Sequence, residues 1–230
     1  MSTLRIGCIA DLHGDLPPIP ACDLLVVAGD LGPPAPGYLN SWPAGDAWLI
    51  GEFADWLRSS PAPVVGCLGN HDRIGELRPA LVESLPWTLL HDGGAEVAGL
   101  RCWGSPWTRG DGDWAFTGHE ARLARAYAQI PAGLDLLVTH GPPAGILDTS
   151  ADGRSLGSAS LADRVEAVRP RLHVFGHIHA RGGREESLPG GTRFVNAAAA
   201  GDGYRSVRGV QAVELEPLTE ETATLNRRGL

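Results

Sequence analysis

Asp11, His13, Asp30, Asn70, His71, His140, His177 and His179 offer carboxylate oxygens, an amide oxygen and imidazole nitrogens. That mixture suits borderline divalent metals such as Mn, Fe and Zn. Taken singly, each residue has an ordinary use. Asp11 or Asp30 can cap a helix or turn, Asn70 after Gly69 can make a turn, and a histidine at a strand end is commonly a structural hydrogen-bonding group. Their joint occurrence points instead to a metal centre. They fall in five short segments: Asp11-Leu12-His13, Gly29-Asp30, Gly69-Asn70-His71-Asp72, Thr139-His140-Gly141 and Gly176-His177-Ile178-His179.

The elements that must position these segments are legible. Each follows a short, branched-chain-rich apolar run: Leu4–Ala10, Leu24–Ala28, Val64–Leu68, Leu134–Val138 and Leu172–Phe175. Such runs read as buried strands. In α/β sheets, ligands bind beyond the carboxyl ends of the strands, so five segments deliver Asp, Asn and His to one crevice. Asp11/His13 and His177/His179 are spaced by two, which in a fully regular strand puts both members on one face and at a strand end lets both reach one site. Runs at Leu100–Trp103, Thr192–Asn196 and Val210–Leu215 suggest further strands, in a second sheet.

Three helices are predicted. One follows the Pro/Gly-rich loop Gly32–Gly45, with Asp46 as N-cap and Leu49, Phe53, Trp56 and Leu57 on one face. Another starts at Thr117, where Thr117 and Glu120 have capping-box spacing, and ends before Pro131. The third starts at Ser160 with Asp163, buries Leu161, Val165 and Val168, and stops at Pro170.

The five segments, in this order, resemble the blocks of the calcineurin-like metallophosphoesterase superfamily: D-x-H, G-D, G-N-H-[DE], a lone H and G-H-x-H. Trp103–Trp107, Thr139–Pro143 and Val174–His179 look like the branch of metallophosphoesterase-domain-containing proteins. The Ser/Thr protein phosphatases differ, because Leu31-Gly32-Pro33-Pro34 follows Gly29-Asp30 here where they carry an acidic, arginine-containing segment.

The resemblance implies a four-layer α-β-β-α sandwich of two mixed sheets. It implies two divalent metal ions (Mn, Fe or Zn), one held by Asp11, His13, Asp30 and His179, the other by Asp30, Asn70, His140 and His177, with Asp30 bridging. His71 would be catalytic, stabilising phosphoryl oxygens or protonating the leaving group, and Asp72 would orient it. The implied activity is hydrolysis of a phosphodiester or phosphomonoester by a hydroxide bridging the two metals. Two divalent ions with Asp11 and Asp30 give a first shell of about +2, which favours phosphate, and a pair about 3.5–4 Å apart can clamp the phosphoryl oxygens.

Composition narrows the partners. The 230 residues form a single domain, 1–230, with a formal net charge of −8. That argues against broad nucleic-acid binding and leaves open a small phosphorylated substrate, such as a nucleotide, or a local positive site. A nuclease of the same superfamily and a non-catalytic metal-binding scaffold are the rivals; the complete ligand set speaks against the scaffold. No targeting signal or membrane span is visible. Cys8, Cys22, Cys67 and Cys102 are scattered, as free thiols in a reducing cytoplasm would be. His91, His119 and His173 lack the strand-end context and are assigned no metal role. Glu185-Glu186 and Glu214–Glu221 read as solvated surface.

Three features stay open between two readings. Arg181 and Arg184 are either loop arginines or contacts to a substrate phosphate. Asn196 either ends a strand or supports the metal ligands from behind. Trp103–Phe116, with Trp107, Trp114 and Phe116, either covers the core or walls the metal site.

Overall fold

The computed structural model describes residues 3–33, 42–188, 191–201 and 203–216. Among the described residues, thirteen strands run in the order β1 (Leu4–Ile9), β2 (Leu24–Ala28), β3 (Val64–Cys67), β4 (Thr88–Leu89), β5 (Gly93–Val97), β6 (Leu100–Ser105), β7 (Thr108–Arg109), β8 (Thr117–Gly118), β9 (Leu136–Thr139), β10 (Leu172–Phe175), β11 (Arg184–Ser187), β12 (Arg193–Asn196) and β13 (Gln211–Leu215). One sheet has the order β13-β1-β2-β3-β4 and the other β11-β12-β10-β9-β6-β5, with β7 and β8 pairing separately. Both large sheets are mixed. β1 to β4 are parallel, as are β6, β9, β10 and β12, whereas β13, β5 and β11 join antiparallel at edges.

The five motif-bearing runs therefore divide between the sheets, three in one and two in the other. The later runs do not form a sheet of their own: β13 flanks β1, while β6 and β12 flank β9 and β10. The reason is alternation. Ile6, Cys8, Leu24, Val26, Val65 and Cys67 face inward against Leu136, Val138, Leu172 and Val174 of the other sheet. The intervening Ile9, Leu25 and Val27 pack with Leu49, Phe53 and Leu57, and Leu137 and Phe175 pack with Leu161, Val165 and Val168. Helices thus cover both outer faces. Each such buried aliphatic side chain contributes roughly 1.5–3 kcal/mol. Cys8, Cys67 and Cys102 are buried in the core between the sheets, and all four cysteines are free thiols.

Helix boundaries depart from expectation where side-chain capping was inferred from spacing. Helix α1 (Trp42–Trp48) continues through a π-helical turn (Leu49–Phe53) into α2 (Ala54–Arg58). Asp46 is thus inside the helix, paired with Arg78 at 2.8 Å, and the helix begins within the stretch expected to be loop; residues 34–41 of that stretch lie outside the described residues. Short helices α3 (Ile74–Leu77) and α4 (Pro79–Glu83) follow β3. Helix α5 (Glu120–Tyr127) begins after Thr117, which is in β8 and donates to the Trp114 carbonyl. Glu120 does cap a helix, but the next one: its carboxylate accepts from the Ser158 and Ser160 hydroxyls and the Ala159 and Ser160 amides. Helix α6 (Ala159–Val168) is accordingly capped by Ser158, whose hydroxyl accepts from the Leu161 amide, not by Ser160.

Glu185 and Glu186 lie in β11, with Glu185 bonded to Arg193. Residues 217–221 of the acidic tail lie outside the described residues. Among the described residues, no helix is long and apolar enough to cross a membrane.

Candidate metal centre

The site lies where the parallel strands of both sheets end. Asp11 and His13 follow β1, Asp30 follows β2, Asn70 and His71 follow β3, His140 follows β9, and His177 and His179 follow β10. The pairs spaced by two converge from beyond the strand ends, not from within a regular strand. β1 stops at Ile9 and β10 at Phe175. Asp11 (φ 53°), His13 (φ 45°), Asp30 (φ 57°) and His177 (φ 66°) instead sit in left-handed turns. That conformation costs a residue with a Cβ about 1–2 kcal/mol, and clusters of it occur at functional sites.

Backbone hydrogen bonds hold the turns in place. The amides of Asp11, His13 and Gly14 donate to the carbonyls of Gly29, Asp30 and Leu31 at 2.9, 3.1 and 2.9 Å. The buried Asp72 carboxylate accepts from the amides of Asp30, Leu31 and Gly69 at 2.8, 2.8 and 2.7 Å. The resemblance implies that Asp72 orients His71, but its oxygens hold the backbone around Asp30 instead. Burial, reinforced by the Asp30 charge, pushes Asp72 up to about 7.

Asp30 is the centre of the group. Its Oδ1 accepts the His71 amide at 2.8 Å. Its Oδ2 is left facing Nε2 of His140 at 3.3 Å, of His13 at 3.8 Å and of His71 at 3.9 Å. Asp11 Oδ1 lies 3.2 Å from His179 Nε2, and His13 and His179 approach within 3.4 Å through their Nε2 atoms. Asn70 Oδ1 is 3.0 Å from His140 Nε2. The His177 ring lies 5.2 Å from that of His140. All eight predicted site residues are thus gathered in one place. Two subsets, Asp11/His13/His179 and Asp11/Asp30/His140, bring their donor atoms within 4.8 Å of one another.

The donor chemistry fits a cation. His140 Nδ1 lies 2.8 Å from the Ala28 carbonyl, so that nitrogen carries the proton and Nε2 presents a lone pair to the Asp30 and Asn70 oxygens. Three electron-rich atoms facing one another need a positive charge among them. Without a metal ion a proton supplies it. Burial pushes His140 down, but Asp30 and Asp11 outweigh it and raise His140 to about 10. Burial raises Asp30, but the His140 charge more than offsets it and holds the carboxyl far below the usual range. Burial lowers His13 and His177 to about 4 and also lowers His71, so these rings are neutral near pH 7. A neutral imidazole is the ligating form.

The glycines of the motifs make the convergence possible. A Cβ at Gly69 would lie 2.3 Å from Asp30 Oδ1, and one at Gly176 would lie 2.2 Å from Asp11 Oδ2. Each of these two glycines clears room for the carboxylate of another block.

Several supporting residues carried a weaker sequence signal. Asn196 donates to the Ile178 carbonyl and accepts from the Ala198 amide, which fixes the turn between His177 and His179. The buried row Ala197–Ala200 stitches β1 to the second sheet, through Ala10 amide to Ala197 carbonyl and Ala199 amide to Ala10 carbonyl. Arg181 donates to the Thr149 carbonyl, as a loop arginine would. His173 is buried, 2.8 Å from the Thr139 hydroxyl, and away from the ligand set.

The aromatic segment divides. Trp107 and Phe116 belong to the core, with Trp107 Nε1 donating to Asp92, whereas Trp114 is exposed and lies 4.7 Å from the His71 ring. Tyr204, which no motif marks, lies 4.7, 5.3 and 5.5 Å from the rings of His13, His71 and His179.

The family model for calcineurin-like phosphoesterases matches residues 4–181, a span that contains all eight site residues. The chain belongs to the calcineurin-like phosphoesterase family. Metallophosphoesterase domain-containing protein 1 of Homo sapiens is 31% identical, over 92% of this chain and 71% of its own length. A UPF0046 protein of Caenorhabditis elegans is 32% identical, over 88% of this chain and 78% of its own. The solved structure of TT1561 of Thermus thermophilus superposes with a TM-score of 0.54 at 16% identity, covering 85% of this chain and 89% of that one; at that identity the likeness shows the fold alone. As a calcineurin-like phosphoesterase, the chain is a metal-binding hydrolase of phosphoesters by class.

Proposed function

We propose that this calcineurin-like phosphoesterase is a dinuclear enzyme that hydrolyses phosphodiesters. Asp11, His13, Asp30 and His179 would hold one divalent ion, and Asp30, Asn70, His140 and His177 the other. The observation that carries this is Asp30 Oδ2, which faces His13 of one set and His140 of the other from a single oxygen. Two ions bound there would supply Lewis acidity and a nucleophile drawn from water at neutral pH.

The chain's own residues do the rest. Asp30 Oδ1 is engaged by the His71 amide, which fixes the carboxylate so that Oδ2 serves both sets. The same bond ties the His71 backbone to the metal centre, so its imidazole is held at the cleft with 17% of its side chain exposed. In its neutral form His71 can donate one hydrogen bond to a phosphoryl oxygen, and once protonated to the imidazolium it can pass a proton to the leaving oxygen. Ser150, Ala151 and His177 line the same cleft.

The preference for a diester rests mainly on the family resemblance, and the charge of the cleft supports it. Among the described residues, no arginine lines the cleft, and the chain has no lysine. A dianionic monoester gains nothing there beyond the ions, so a monoanionic diester fits better. The protein is read as a single cytoplasmic domain acting on a small substrate; the four free thiols support a reducing compartment. The test is a panel of matched monoesters, diesters and cyclic nucleotides with Mn²⁺-reconstituted protein. Faster diester turnover supports the reading, and a clear monoester preference contradicts it.

A further inference from the structure

The cleft at the metal centre has a volume of about 210 Å³, below the roughly 300–1,000 Å³ of a site that encloses a whole drug-sized ligand. It holds a phosphoryl group without enclosing the whole of a larger ester. The substituents of the ester must then lie on the rim, and what the rim offers near His71 is aromatic. Trp114 and Tyr204 are 48% and 42% exposed. Both lie against the His71 imidazole, with ring centroids 4.7 and 5.3 Å away.

Neither ring is placed casually. The Ala115 amide donates to the Asn70 carbonyl at 3.2 Å, and Arg73 donates to the Asp113 carboxylate at 2.8 Å. The segment carrying Trp114 is therefore fastened to both sides of His71. Tyr204 follows Gly203 and has φ 59°, a left-handed conformation that a bulky residue rarely adopts. Its turn is closed by the Gly201 amide on the Arg205 carbonyl at 2.9 Å, and is tied to the loop after β1 by the Ser206 amide on Asp15 at 2.8 Å. Exposed aromatic rings held this way beside a phosphoryl-binding group are available for stacking, which is tolerant of substituent identity but selective for planarity.

We propose that Trp114 and Tyr204, with His71, form an aromatic platform at the cleft mouth that selects phosphoesters bearing a planar aromatic substituent. This rests on the phosphoesterase reading and adds the substrate class to it. Trp114 and Tyr204 are specificity-determining residues, and the substituent they hold is the one beside His71.

Methyl(phenyl)phosphinate, cyclohexyl(methyl)phosphinate and dimethylphosphinate are inert, monoanionic probes that differ in the ring alone. Their affinities for the Mn²⁺-loaded full chain can be measured by calorimetry. The wild type is expected to prefer the phenyl over the cyclohexyl compound by at least about fivefold. Trp114→Leu and Tyr204→Ala should each bring that ratio to within about twofold, with Tyr204→Phe retaining it. Dimethylphosphinate should bind all variants within about twofold of wild type, which also reports that they are folded and metal-loaded. Equal phenyl and cyclohexyl affinities in the wild type, or a ratio that survives both ring-removing variants, would overturn the platform alone. Failure of all three probes to bind the wild type would overturn the phosphoesterase reading and the platform with it.

Discussion

Asp11 accepts the backbone amide of His177 at 2.9 Å, and through that bond the end of β1 in one sheet is fastened to the end of β10 in the other. A candidate ligand carboxylate thereby doubles as a structural tie between the sheets. Gly176 stands at the point of closest approach, where any Cβ would strike the Asp11 carboxylate at 2.2 Å. Gly176→Ala is expected to displace Asp11, lower metal content by about half or more, and cost on the order of 1–3 kcal/mol by overpacking. Metal analysis with a denaturant titration checks both parts.

Asp72 and His71 are neighbours with separable tasks. His71→Ala should leave metal content near wild type and slow turnover by about 10²–10⁴-fold. Asp72→Ala removes the acceptor of three buried amides, and should cost on the order of 3 kcal/mol of stability and weaken metal binding. Melting curves and metal stoichiometry for the two variants separate these effects. An Asp72 variant that melts like wild type and loses turnover alone would restore the role in orienting His71.

His173 should give the protein an acid-sensitive core. Burial lowers its pKa to about 3, from an ordinary value of 6.5. The unfolded chain then binds a proton that the folded chain refuses between those values, so stability is full above pH 6.5 and is lost as pH falls toward 3. About 2 kcal/mol should go between pH 6.5 and 5. His173→Gln cannot take up that proton and should make this limb shallower by about that amount, the part that remains coming from His13 and His177, as read by urea unfolding at several pH values.

The strands and the residues gathered at the site were legible because both leave strong local marks. Leu24–Ala28 and Leu172–Phe175 are strands at the bounds their apolar runs suggest, and the polar residues just after each run are those gathered at the site. What local pattern could not carry was partnership. Glu120 has the spacing to cap its own helix yet caps α6, because Ser158 and Ser160 are brought beside it by the fold. Asp72 is adjacent to His71 in sequence but points to the backbone of Asp30. Trp107 and Trp114 sit in one loop, and only packing decides that the first enters the core while the second meets His71. Tyr204 has no motif around it, and its nearness to three histidine rings is a property of tertiary structure alone.

Asp30 joins both proposed ligand sets, so Asp30→Ala should abolish binding of both ions, whereas Asn70→Ala should weaken only the ion shared with His140 and His177. Metal analysis of the two reconstituted variants against wild type distinguishes a shared carboxylate from two independent sites.

The most direct measurement is anomalous diffraction from a crystal of the wild-type protein loaded with Mn²⁺. Two peaks about 3.5–4 Å apart, one on either side of the Asp30 carboxylate, are the predicted result. A single peak, or peaks that leave Asp30 without a metal contact, would contradict the dinuclear centre.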